Sequence, residues 1–450
     1  MLANLTDRIE ILLESNSVMR IGLLFAARAF NPVVSLAFSL LAGMYLTVED
    51  HGIYGLTLAR IFVMQAFMEA GLQQSLVRFL APALKKNDPD EIHSIIRASI
   101  QLKLYVLGAG VVATLVYILA LVNASTLAAL GVPAEWLPGA RLENLYLAWL
   151  ILTGGFALSL MTYLDSVLVS HESFVKLLFW LPMVGFLRLS LMGYFLIFNE
   201  HALRAEHIIY AFVIGTVIAV LFYFTIFYAD FFFVKVPRRI WKPWTKRLLQ
   251  FNTWIILASF MAILSDWMEV LLIDRSGDLG LFNAARLPMQ GFMIILTTMV
   301  SFLLPRFARL ESVSEYRGMF ARIYQIIIPG VILFLPGLWI FPWIILELYG
   351  PEYEPSVAVF YILYPNFILR LYFAPLGTAL FALDQPRLIM TEAALRMFSG
   401  IGLNLLLYPL FGINGAAWAS LLAQCVGWSF LIYCYVKFFS RGRFPLAPAE

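Results

Sequence analysis

Apolar residues run through this chain in blocks of twenty or more, divided by short stretches where charge, glycine and proline collect. The blocks fall near 20–43, 52–76, 95–122, 144–167, 174–198, 207–231, 249–273, 279–304, 322–346, 357–382, 387–409 and 413–436. A helix needs about 20 apolar residues to cross the ~30 Å hydrocarbon core of a bilayer. Barrel strands need only about ten, with alternating polarity, and these blocks are too long and too uniform for that. The pattern predicts an all-α polytopic membrane protein with 12 transmembrane helices. Ahead of the first span, Leu5, Ile9, Leu12 and Leu13 recur at helical spacing among Asp7, Arg8, Glu10 and Glu14. That predicts an amphipathic interfacial helix over 1–19 rather than a cleavable leader.

Composition agrees: 62% of residues are apolar and 13% charged, which excludes an ordinary soluble domain. The basic residues fix an orientation. One set of alternate loops holds Arg78, Lys85, Lys86, Lys176, Arg306, Arg309 and Arg317, and also Lys235, Arg238, Arg239, Lys242, Lys246 and Arg247. The opposite set holds only Arg141, Arg204 and Arg275. By the positive-inside bias, both termini are expected in the cytoplasm. The net charge of +3 reflects this topology, and no nucleic acid partner is expected. Cys425 and Cys434 lie nine residues apart in the last span, on opposite helix faces, so they cannot pair. His51, His93, His171, His201 and His207 scatter over loop ends without metal-ligand spacing. The longest outer connection, 123–143, is mostly small and apolar with Pro133 and Pro138, and it carries one arginine, Arg141, and no histidine, unlike the loops that gather catalytic groups in a surface enzyme.

The basic stretch 235–247 divides the chain into a first six-helix lobe, 20–234, and a second, 248–437, followed by a tail, 438–450. The halves echo each other at an offset of 228 residues: Gly52 and Tyr54 match Gly280 and Phe282, and Arg78-Phe79 matches Arg306-Phe307. An even number of spans per half makes this a parallel repeat, related by a pseudo-two-fold axis.

Against this apolar background stand six arginines within spans: Arg28, Arg60, Arg188, Arg286, Arg370 and Arg396. Each would cost roughly 2.5–3.5 kcal/mol facing lipid near the bilayer centre. They must therefore face a bundle interior or a watered cavity, and a cationic cavity suits an anionic cargo. Arg28, Asn31 and Ser35 share one helical stripe, either a lumen wall or a helix–helix seam, and the cost of packing an arginine favours the lumen. Asn366 and Arg370 stand at i, i+4, while Glu392 and Arg396 have the favourable order for an internal ion pair. Arg188 has no polar neighbour on its own face, and Asp165 is its candidate counter-ion. Glu69 with Gln65 and Gln73 reads as a second seam. Arg97 and Lys103 have stems long enough to snorkel to the interface, which reads as anchoring.

Span seven places Asp266 and Glu269 on one face at i, i+3. Two such carboxylates in apolar surroundings repel unless a proton, a cation or an arginine intervenes. Arg286 is the candidate partner, and proton or sodium coupling at Asp266 and Glu269 is the alternative. No cofactor or resident metal is expected. Prolines inside spans, including Pro182, Pro329, Pro336, Pro342, Pro365 and Pro375, predict kinks.

Three passages carry a family resemblance: Glu49-Asp50-His51-Gly52-Ile53-Tyr54-Gly55, Gly350-Pro351-Glu352-Tyr353, and Leu410-Phe411-Gly412-Ile413-Asn414-Gly415-Ala416-Ala417-Trp418-Ala419. They resemble the polysaccharide transporter family, the Wzx-type O-antigen and exopolysaccharide flippases of the multidrug/oligosaccharidyl-lipid/polysaccharide exporter superfamily. The resemblance implies two six-helix lobes in a V. The implied cargo is an undecaprenyl-pyrophosphate-linked oligosaccharide, flipped from the cytoplasmic to the periplasmic leaflet of a bacterial inner membrane. Related lipid II flippases use cavity arginines on helices one, two and eight, which here are Arg28, Arg60 and Arg286. Those flippases have two further helices, so an O-antigen or exopolysaccharide repeat unit is the expected cargo. Arg370 and Arg396 are expected to contact sugar or to pair locally. Membrane lipids, a polysaccharide polymerase and chain-length machinery are the implied partners. The alternatives are a multidrug/cation antiporter, which would favour acidic cavity residues, a lipid II-type flippase, and a membrane sugar polymerase. A transporter rather than an enzyme is the expectation.

Overall fold

The computed structural model describes residue 30 and residues 33–441, apart from 70, 123–141, 172–173, 199–202, 228–235, 274, 308–309, 311 and 384. Among the described residues the long elements are all helices. They are α1 (Val33–Tyr45), α2 (Val48–Glu69), α3 (Leu72–Lys86), α4 (Pro89–Val122), α5 (Leu142–Ser170), α6 (Phe174–Phe198) and α7 (Ala205–Phe227). Then follow α8 (Arg238–Leu272), α9 (Ser276–Phe307), α10 (Val313–Ile332), α11 (Gly337–Tyr349), α12 (Glu354–Ala382) and α13 (Pro386–Arg441). Seven described helical segments are long and apolar enough to cross a membrane, or eight if the bent pair α10–α11 is one span. The predicted surface helix over 1–19 lies outside the described residues.

Helix ends follow from local chemistry. Thr47 caps α2: its hydroxyl accepts from the Asp50 N–H at 3.2 Å and donates to Asp50 Oδ2 at 3.1 Å. Asp88 Oδ1 accepts from the N–H groups of Asp90 and Glu91, opening α4 behind Pro89 at its first position. Ser312 does the same for Glu315 at the start of α10. The predicted second span, 52–76, is instead broken: α2 stops at Glu69, and Gly71, at φ 63 and ψ 14, precedes a separate α3. The left-handed conformation is one that glycine adopts without a Cβ penalty. The kink expected around Pro329 and Pro336 is a 47° bend between α10 and α11. Large apolar side chains along these helices point outward, with Leu333 80% and Ile326 76% exposed. That is the outer face a lipid-solvated bundle presents.

The chain divides into two compact units. Among the described residues, Thr57–Met192 and Ile209–Ile256 form the first and the remainder the second, so α2 and α8 each contribute to both. Within the second unit the internal repeat is visible as contact. A Cβ on Gly52 would run into the Ser276 carbonyl, and a Cβ on Gly280 into the Val48 carbonyl. Both pairs are exchanged by the same 228-residue offset, so the crossing of α2 and α9 is reciprocal, as a pseudo-two-fold requires. A Cβ on Gly55 would meet Asn283, its own repeat mate. Tyr54 and Phe282 are both buried beside this crossing.

The other matched pair also plays the same part twice. In the first unit Phe79 lies 5.9 Å from the Trp244 ring and under the Arg247 guanidinium. In the second, Phe307 stacks on Tyr316 at 5.9 Å and packs on Phe320. Each phenylalanine thus sits in an aromatic cluster, Phe79 midway along α3 and Phe307 at the end of α9.

The candidate anion-binding site

The second unit gathers charged side chains from four helices around one carboxylate. α8 carries Asp266 and Glu269, α9 carries Arg286, α12 carries Asn366 and Arg370, and α13 carries Glu392, Arg396 and Ser420. Asp266 Oδ1 accepts from Arg370 Nη2 at 2.8 Å and from Arg396 Nη1 at 2.7 Å. The backbone carbonyl of Asp266 accepts from Arg286 Nη2, also at 2.8 Å. One residue therefore organises three guanidinium groups. The Arg286 guanidinium also lies 4.5 Å from the Trp267 ring centroid, where a planar cation can stack. Its other terminal nitrogen, Nη1, is buried without a hydrogen-bond partner.

The remaining carboxylates take separate places. Glu392 Oε1 stands 3.3 Å from Arg396 Nε, the i, i+4 pair expected from the spacing. Glu269 is 3% exposed and hydrogen-bonded to Ser420, whose hydroxyl accepts from Asn366 Nδ2 at 3.2 Å. With Asp266, Glu269 and Glu392 against Arg286, Arg370 and Arg396, the formal charges balance. Glycines let the helices approach: a Cβ on Gly427 would sit 2.6 Å from Glu392 Oε1, and one on Gly400 would strike Met268. A low-dielectric pocket tolerates such groups only when they are paired and hydrogen-bonded.

Several expectations change here. Arg286 was the candidate partner for the span-seven carboxylates. It does face them: its charge acts on Glu269 and Asp266 and its Nη2 reaches the Asp266 main chain, while Arg370 and Arg396, more than a hundred residues away in sequence, join it at the Asp266 side chain. Arg28 and Asn31 lie outside the described residues. Arg60 lies on α2 in the first unit, exposed from the protein.

The first unit treats its buried cations differently. Lys103 does not snorkel: it is 3% exposed. Its ammonium donates to the Met68 carbonyl at 3.1 Å, to the Ser159 carbonyl at 3.0 Å and to the Ser159 hydroxyl. Three donors meet three neutral acceptors, with Glu69 as the opposing charge nearby. Met68 is in the last turn of α2, where helix carbonyls lose their partners, so Lys103 caps the helix broken at Gly71. Arg188 takes neutral partners as well. Its Nε donates to Thr216 Oγ1 at 2.9 Å and its guanidinium lies 4.0 Å from the Phe212 centroid. Asp165, the expected counter-ion of Arg188, accepts from Trp180 Nε1 at 2.9 Å.

The three passages that carry the family resemblance are architectural. His51 and Tyr353, from two of them, meet with ring centroids 6.0 Å apart and a 3.5 Å contact between Tyr353 Oη and His51 Nδ1. Asp50 Oδ1 accepts from the Ala205 N–H, tying the start of α7 to α2. Gly412, at φ 58, breaks α13 into two stretches, and a Cβ on Gly415 would strike the Leu407 carbonyl.

Solved transporters that align with nearly the whole chain share this architecture, among them a multidrug resistance MATE family transporter of the MOP superfamily. A multidrug and toxin extrusion (MATE) transporter bound to MaL6 covers 94% of this chain and 96% of its own, at 14% identity and a TM-score of 0.65. The lipid II flippase MurJ, in an inward closed conformation, covers 94% of this chain and 88% of its own, at 14% identity and a TM-score of 0.64. Among curated sequences, the probable low-salt glycan biosynthesis flippase Agl15 of Haloferax volcanii is 24% identical over 249 residues. That alignment spans 53% of this chain and 51% of Agl15, about half of each. No family model matches the chain. These similar proteins are transporters and flippases by name, and none is an enzyme.

Proposed function

We propose that this protein flips a lipid-linked oligosaccharide, carried on an isoprenoid pyrophosphate such as undecaprenyl pyrophosphate, from the cytoplasmic to the outer leaflet of a bacterial inner membrane. The observation that carries this reading is the cluster of Arg286, Arg370 and Arg396, with a buried N–H of Arg286 left open. A pyrophosphate entering a low-dielectric cavity loses its water, and guanidinium groups replace it with charge-assisted hydrogen bonds. A sugar offers no comparable charge, so the phosphate is the group such a cluster grips. Arg28, Arg60 and Asn31 complete the substrate-binding set in this reading. The names of Agl15 and MurJ, flippases for glycan biosynthesis and for lipid II, support the cargo class. An O-antigen or exopolysaccharide repeat unit is the cargo proposed here. Glu269, buried beside Ser420 and Asn366, is the carboxylate proposed to exchange a proton or sodium ion during the cycle.

Reconstitution tests the reading directly. Proteoliposomes should translocate a lipid-pyrophosphate-linked oligosaccharide and should leave a cationic dye in place. Dye transport without lipid translocation would replace this function with that of a cation antiporter.

A further inference from the structure

We propose that Asp266 is a built-in stand-in for the cargo phosphate, closing the arginine cluster when the site is empty and leaving it when an anionic group binds. The inference rests on the reading above, that this cluster receives a phosphate, and adds how the empty site is kept.

The geometry is that of an occupied anion site. A single oxygen, Asp266 Oδ1, lies between two guanidinium groups at 2.8 and 2.7 Å, as a bridging phosphate oxygen would. Its two arms are unequal. The Asp266 and Arg370 side chains keep 33% and 26% of their surface accessible, whereas Arg396 keeps 10% and is also held by Glu392. The Asp266–Arg370 contact is the one an incoming anion can reach, and Arg396 has a second carboxylate to stay with.

Arg286 is placed to benefit from the exchange. It is anchored by the Asp266 backbone carbonyl, which does not move when the side chain rotates away. Its Nη1 is already buried without a hydrogen-bond partner. A turn of the Asp266 side chain would therefore leave Arg370 with a donor released and Arg286 with a donor already waiting. An unfilled cluster of three arginines with no such counter-ion would repel itself in low dielectric. The carboxylate keeps the empty protein folded and sets a threshold that neutral or cationic molecules cannot cross.

The test is binding of inorganic pyrophosphate to the purified full-length protein in lipid nanodiscs, by calorimetry. Asp266→Asn should bind pyrophosphate about tenfold tighter than the wild type, since the competing charge is gone. Arg370→Gln and Arg286→Gln should each bind it about tenfold more weakly. If Asp266→Asn does not fold, Asp266→Asn with Arg396→Gln removes one charge of each sign, and should bind tighter than Arg396→Gln alone. Loss of either arginine weakening binding while Asp266→Asn binds no tighter would overturn the stand-in and leave the phosphate site in place. Pyrophosphate binding indifferent to Arg286→Gln and Arg370→Gln would remove the phosphate site itself, and the stand-in with it.

Discussion

The two units solve the same problem, cations inside an apolar bundle, in opposite ways. In the first, Lys103 and Arg188 are almost wholly buried and bonded to neutral partners: carbonyls, hydroxyls and an aromatic face. In the second, Arg370 and Arg396 share one carboxylate oxygen, and the Asp266 and Arg370 side chains stay partly accessible. Neutral partners on neighbouring helices suit a cation that holds helices together. A shared counter-ion and partial access suit a cation prepared to change partners. Charge at membrane depth is a functional signal by default. Both sets meet that default, and the bonding pattern, rather than depth, is the difference between them.

The comparison breaks most easily at Lys103. Lys103→Met should cost about 3–5 kcal/mol of stability, because it strands Glu69 and frees the Met68 and Ser159 carbonyls. Thermal unfolding in detergent measures this. Lys103→Met with Glu69→Gln should recover part of the loss, since no lone charge remains. A Lys103→Met protein as stable as the wild type but unable to transport would move Lys103 into the functional class. Next in size, Arg286→Gln should lower transport per folded molecule by about 1.5–3 kcal/mol, the worth of a hydrogen bond to a charged group. Arg188→Leu should do the converse. Losing its bond to Thr216 should destabilise by about 1–2 kcal/mol, with transport per folded molecule unchanged.

How much of this was readable beforehand differs between the same two regions. The arginines themselves stood out because a charge in an apolar block needs no partner to be noticed. Their grouping did not, since Asp266 lies 104 residues from Arg370 and 130 from Arg396, and only the packing of α8, α12 and α13 joins them. The Glu392–Arg396 pair was legible because one helix turn sets it. Lys103 was misread as an interfacial anchor for an equally local reason. A flexible stem permits either end point, and the deciding acceptors are Ser159 on α5, distant in sequence, and the Met68 carbonyl, which is free because α2 breaks before Gly71. Nothing in Ala70-Gly71-Leu72 distinguishes a break from a continuing helix with one glycine, which would cost only about 1 kcal/mol. The repeat was visible at four positions, and the glycines among them match because backbone meets backbone there.

The smallest expected effect is also the one that most directly sharpens the division inside the second unit. Glu392 and Asp266 both pair with Arg396, yet they hold it differently: a 2.7 Å bond from Asp266, and a 3.3 Å approach from Glu392 one turn away on the same helix. An i, i+4 pair of this kind contributes about 0.2–0.5 kcal/mol. Glu392→Gln should therefore leave the melting temperature within a degree or so and change transport less than about threefold. Unfolding and translocation assays on one preparation read both. An effect on transport as large as that of Arg286→Gln would mean that Glu392 takes part in handling the cargo. The working site would then reach deeper along α13 than the accessible Asp266–Arg370 contact.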